Sequence, residues 1–158
     1  MNALCHIVAA RIRSELNELH RIVERTCQIW LRARQATDDY LVDAAALNLH
    51  GFYAGLERIF ELVAEEIDQT RPSGSHWHQE LLRQMSGEVP KVRPAVLSIE
   101  LRDNLDRYRG FRHVVRNVYT FNLDVELVEL LIKHLQPTMN HLSEELLAFA
   151  EFLEELEK

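Results

Sequence analysis

Residues 107–121 read Arg107-Tyr-Arg-Gly-Phe-Arg-His-Val-Val-Arg-Asn-Val-Tyr-Thr-Phe121. On a helix turning about 100° per residue, Arg109, Arg112, His113, Arg116 and Tyr119 share an arc of roughly 120°. Phe111, Val114, Val115 and Val118 fill the opposite side, so the segment predicts an amphipathic helix with a basic wet face. Arg107 swings round towards Phe111 and Val114 and is set apart from the others. Two uses of this face follow from its chemistry. The arginines either form a solvated stripe that pairs with carboxylates of neighbouring helices, or they grip phosphate beside a ring that moves protons.

Outward from this segment, apolar residues recur at spacings of three and four along most of the chain. Leu4, Ile7, Ile12, Leu16, Leu19, Val23, Cys27 and Trp30 predict a helix from residue 3 to about 35. Thr37-Asp38-Asp39 offers a cap for a second helix, whose apolar positions run from Leu41 to Ile67, and the two make an antiparallel hairpin. Arg71-Pro72-Ser73-Gly74-Ser75 is a loop by composition, and a short helix follows from about Trp77 to Met85. The prolines of residues 86–94 stop any helix there. A third long helix starts near Ser98 and includes the basic face. Gly110 within it marks either close packing or a local break. A turn over residues 120–124 ends on Asp124 as a cap, and a last segment runs from Val125 to about Glu157, which Pro137 is expected to kink or divide.

The expected fold is therefore all-α, an up-and-down four-helix bundle with a short extra helix in the connection after the first hairpin. At 158 residues the chain, with five glycines and four prolines, suits one domain spanning residues 1–158. Residues 124–158 hold the whole net charge of −7, leaving residues 1–123 balanced, so a local basic face can still capture an anion. Cys5 and Cys27 have no metal-ligand spacing and fit a reduced, cytoplasmic compartment. The start lacks a secretion signal, and no apolar run is long enough to span a bilayer, so no membrane partner is expected.

Several chemistries are excluded by pattern. A di-iron bundle needs a histidine three residues after a glutamate on two helices, and no histidine here has that neighbour. There is no Gly-rich phosphate loop, zinc-type cysteine pair or nucleophile elbow. His76 and His78, which flank Trp77 in a loop, are two candidate metal ligands and a weak signal, and no metal or cofactor is expected.

At residues 107–124 the chain resembles the HEPN superfamily, and more closely the HepT-like toxins within it, through the run Tyr-Arg-Gly-Phe-Arg-His-Val-Val-Arg and the four-helix pattern. The superfamily signature is an arginine, often followed by a polar residue, with a histidine four to six positions beyond the arginine. In HepT proteins a tyrosine stands two residues after that histidine. Aligned on Tyr119, the motif arginine is Arg112, its polar neighbour is His113, and the motif histidine falls on position 117, where this chain has Asn117.

The resemblance implies a homodimer whose facing motif helices form one cleft, with metal-independent cleavage of RNA, transfer RNA being a target in the family. It also implies an encoded partner, a nucleotidyltransferase antitoxin of the MNT family, that adenylylates the motif tyrosine, here Tyr119. In such a site Arg112 stabilises the phosphorane, supported by Arg109 and Arg116 as RNA-binding groups. Asn117 cannot exchange a proton near neutral pH, which leaves His113, one turn earlier on the same side, as the substitute. Three outcomes stay open: a ribonuclease that works through His113, a non-catalytic module that keeps the basic cleft and binds RNA or a nucleotide, or a purely structural helical partner whose arginines satisfy the acids of the last segment.

Overall fold

The computed structural model describes residues 2–156. Five helices follow in order: α1 (Asn2–Ala36), α2 (Asp39–Glu66), the short α3 (Trp77–Met85), α4 (Ile99–Asn117) and α5 (Val125–Glu155). Side chains form the two expected N-caps, at Asp38 and Asp124, and a third at Ser98. Asp38 accepts from the Tyr40 amide, Ser98 from that of Leu101, and Asp124 from those of Glu126 and Leu127. Each satisfies backbone donors that the first turn leaves unpaired.

α1 packs along α2 and α5, α4 packs against α2 and α5, and α3 lies on α2 and α4. Ion pairs give the directions: Arg13 of α1 meets Glu154 near the end of α5, and Arg34 meets Glu129 near its start. Arg58 of α2 reaches back to Glu15 of α1. The start of α4 meets Glu145 of α5, and Tyr108, further along α4, donates to the Leu131 carbonyl at 2.7 Å. α1 is thus antiparallel to α2 and α5, and α4 to α5, an up-and-down bundle with α1 and α4 at opposite corners. The apolar stripes read from the sequence, including Ile12, Leu19, Leu49, Phe52, Leu56, Phe60, Leu101 and Leu105, form one buried core. Each such side chain contributes about 1.5–3 kcal/mol through burial.

Two local expectations are corrected and one is narrowed. Of the kink or division expected at Pro137, division does not occur, since α5 runs through it. Leu135 and Met139 on either side of it are fully buried, and their packing outweighs the roughly 3 kcal/mol that an interior proline costs. The expected extension of this segment to Glu157 lies outside the described residues. Gly110 marks neither close packing nor a break, because α4 is continuous through it and nothing lies within 4 Å of where its Cβ would be. Gly110→Ala is accordingly expected to stabilise the fold by about 1 kcal/mol, seen as a higher urea midpoint with an unchanged slope. The basic helix also ends sooner than its periodicity predicted: Asn117 is its last residue, and Val118 is extended at φ −130° and ψ 156°.

Residues 67–98 are held by one buried cation. Arg93 has a fully buried side chain that binds Asp68 through Nε at 2.6 Å and Nη2 at 2.7 Å. It also donates to the carbonyls of Gln84, Gly87 and Pro94. The Met85 carbonyl accepts from the amides of Val96 and Leu97, which closes the connection onto α3. α3 is thereby fixed against α2 and α4, and its first turn faces the basic side of α4.

Candidate nucleic-acid interface

Between α3 and the second half of α4 lies a cleft of about 500 Å³, lined by Ser75, His76, His78, Gln79, Arg109, Arg112, His113, Arg116 and Asn117. Five of the six positions singled out in the sequence therefore share one cavity. No carboxylate is among the residues that line it, although two of its arginines pair with carboxylates outside that lining.

The three arginines differ in commitment. Arg109 donates through Nε to Asp106, one turn earlier, at 2.6 Å. Arg112 reaches down to the buried Glu57 of α2, Nη1 to Oε1 3.2 Å, and keeps only 18% of its side chain exposed. Pairing with a carboxylate of a neighbouring helix thus holds for Arg112, while its Nε–H, buried below the cleft, has no hydrogen-bond partner among the described residues. Arg116 is exposed and has no carboxylate partner among the described residues.

Glu57 was not singled out in the sequence, although a signal was there. Tyr53, Phe60 and Ala64, at i−4, i+3 and i+7, are all core residues, which places a carboxylate on the apolar stripe of α2. Such a group is retained inside only when paired, and Glu57 has two partners. Besides Arg112, it lies 2.6 Å through Oε2 from Nδ1 of His78. The His78 ring stacks on Trp77 with centroids 3.7 Å apart, and the Arg71 guanidinium lies 5.5 Å from the centroid of the Trp77 ring. A histidine read as a weak metal candidate is instead anchored between α2 and α4. Among the described residues no cluster of three or more His, Cys, Asp or Glu side chains could hold a metal ion.

Nearby groups are poised by the same charges. Burial, then Arg112 and Arg116, lowers the pKa of His50 on α2, so its ring is uncharged at neutral pH. Tyr53 is fully buried without a hydroxyl partner among the described residues, and burial beside Glu57 raises its pKa far above the ordinary value.

Asn117 stands at the mouth of the cleft and folds back, its Nδ2 donating to the His113 carbonyl at 2.7 Å. His113 itself is exposed. Tyr119 is not brought to the cleft. Because α4 stops at Asn117, Tyr119 sits on extended backbone, 73% exposed and stacked parallel on Phe121 with centroids 5.5 Å apart. On the other side of α4 Phe111 is buried, but Val114 and Val118 are about two-fifths exposed, at 37% and 40%. Arg107 lines a different cavity with Tyr108 and His134.

The HepT-like protein family matches the chain over residues 44–153, which takes in α3, α4 and nearly all of α2 and α5. The chain belongs to that family. No curated protein and no solved structure matches it. In this HepT-like protein the family's match covers every residue that lines the cleft and Glu57 beneath it. No helix of the HepT-like protein, among the described residues, is long and apolar enough to cross a membrane.

Proposed function

We propose that this HepT-like protein is the toxin of a toxin–antitoxin pair, an endoribonuclease that cuts RNA in the cytoplasm without a metal and acts as a homodimer. The observation that carries this is the cleft itself, which gathers three arginines and three histidines and no carboxylate. RNA cleavage without metal needs a proton removed from a 2′-hydroxyl, an anionic phosphorane stabilised, and a leaving oxygen protonated. Guanidinium groups suit the second task through charge-assisted, bidentate hydrogen bonds, and imidazoles suit the others, neutral to take a proton and protonated to give one. Arg112 stabilises the phosphorane, with Arg109 and Arg116 holding the strand and His113 and Asn117 at the cleft mouth.

Exposed Val114 and Val118, on the side of the basic segment away from the cleft, support an apolar face that meets a second copy. The exposure of Tyr119 supports its role as the residue that an MNT-family nucleotidyltransferase adenylylates. A nucleotide there adds bulk and negative charge beside a site built for phosphate, and so competes with RNA.

The purified protein is expected to cleave total RNA, transfer RNA included, in the presence of EDTA, and Arg112→Ala is expected to abolish product. A second reading is favoured by Asn117, which stands where the family motif has its histidine: a non-catalytic module that binds RNA or a nucleotide. That alternative predicts binding that weakens with salt, with a slope of about −0.7 per phosphate contact on single strands, and no product under any condition. Absence of both cleavage and salt-dependent binding would sink both readings.

A further inference from the structure

The cleft contains an imidazole that the family motif does not supply. His78 lies in the first turn of α3 and lines the cavity opposite Arg112 and Asn117. Two contacts fix its ring, Glu57 Oε2 at 2.6 Å from Nδ1 and Trp77 stacked against one face, and Arg112 Nη1 lies beside it, 3.2 Å from Nδ1 and 3.5 Å from Nε2. An ionised carboxylate only accepts hydrogen bonds, so the ring must donate from Nδ1, and the lone pair of the neutral imidazole then resides on Nε2. A buried carboxylate that fixes the tautomer of a partly exposed histidine is the arrangement by which a general base is made ready. His113, by contrast, is exposed and has no side-chain partner among the described residues to orient it.

We propose that His78, oriented by Glu57, is the general base of this centre, an assignment that rests on the ribonuclease reading above. Phosphate draws the Arg112 guanidinium towards the strand and off the ring, which frees Nε2. Nε2 takes the proton of the 2′-hydroxyl while that oxygen forms a bond to the adjacent phosphorus. The bond from phosphorus to the 5′-oxygen breaks, its electron pair leaves with that oxygen, and the oxygen takes a proton from water. The imidazolium returns its proton to the hydroxide so formed. The products are a 2′,3′-cyclic phosphate and a 5′-hydroxyl.

The test uses the full chain and His78→Asn, because the asparagine amide can occupy the place of Nδ1, donate to Glu57 and preserve the anchor while Nε2 is lost. His78→Gln is the second variant, and all are assayed on total RNA in EDTA below their melting temperatures beside Arg112→Ala. Cleavage is expected to fall by about 10²- to 10⁴-fold in both His78 variants, with RNA affinity unchanged. His78 variants that cleave like the wild type, while Arg112→Ala is inactive, overturn the assignment of His78 and leave the ribonuclease reading standing. Wild-type protein that binds RNA and yields no product overturns both.

Discussion

Asn117→His is expected to raise the initial rate of RNA cleavage by about 10²- to 10⁴-fold, measured on a defined RNA in EDTA. Asn117 lines the same cleft as Arg112 and His78, and its amide has no proton to exchange near neutral pH. Cleavage needs an acid as well as a base, and with His113 exposed and held by no side-chain partner among the described residues, the leaving oxygen depends on water. A histidine at position 117 supplies that acid from the opposite wall of the cleft to His78. The combination His78→Asn with Asn117→His separates the two roles, since it restores the acid and still lacks the base. If Asn117→His cleaves no faster than the wild type, position 117 does not reach the scissile bond and the alignment of the motif on this helix is wrong.

Arg93→Met is expected to destabilise the protein by about 3–5 kcal/mol, because removing one partner of a buried ion pair leaves the other uncompensated. Among the described residues the Asp68 carboxylate would retain the Gln84 side-chain amide at 2.8 Å alone, and the carbonyls of Gln84, Gly87 and Pro94 would lose the donor they share. Replacing both partners, Arg93→Met with Asp68→Leu, should recover much of the loss, since well-packed apolar residues often substitute for a buried pair at little cost. Urea denaturation followed by circular dichroism distinguishes the outcomes. A single variant within about 0.5 kcal/mol of wild type, the range of ordinary surface substitutions, would show that the connection does not depend on Arg93.

The helices were legible because their signals are local. Asp38 and Asp124 cap where their side chains and the following apolar periods say they should, α4 starts beside Ser98, and α3 begins at Trp77 and ends at Met85 as expected. The end of α4 was less so. A 3.6-residue period continues through Val118 and Tyr119, yet Asn117 turns back on its own helix and β-branched Val118 takes up extended backbone. The basic residues of the cleft could be read from one helix face, whereas the partners that orient them could not. Glu57, His78 and Arg112 are separated by 21 and 34 residues in sequence, and nothing in a single chain records that α3 closes over that face. A carboxylate on the apolar stripe of α2 and a buried arginine between two prolines were the only traces.

Asn117 is exposed at the last turn of α4, where its side chain supports nothing but its own helix. Exposed positions of this kind accept substitution within about 0.5 kcal/mol, and a histidine near a helix C-terminus is favourable for the helix. Asparagine and histidine codons differ by a single base. Under the ribonuclease reading proposed above, one mutational event at this position is therefore enough to mute or restore cleavage, and the folded bundle persists through either change.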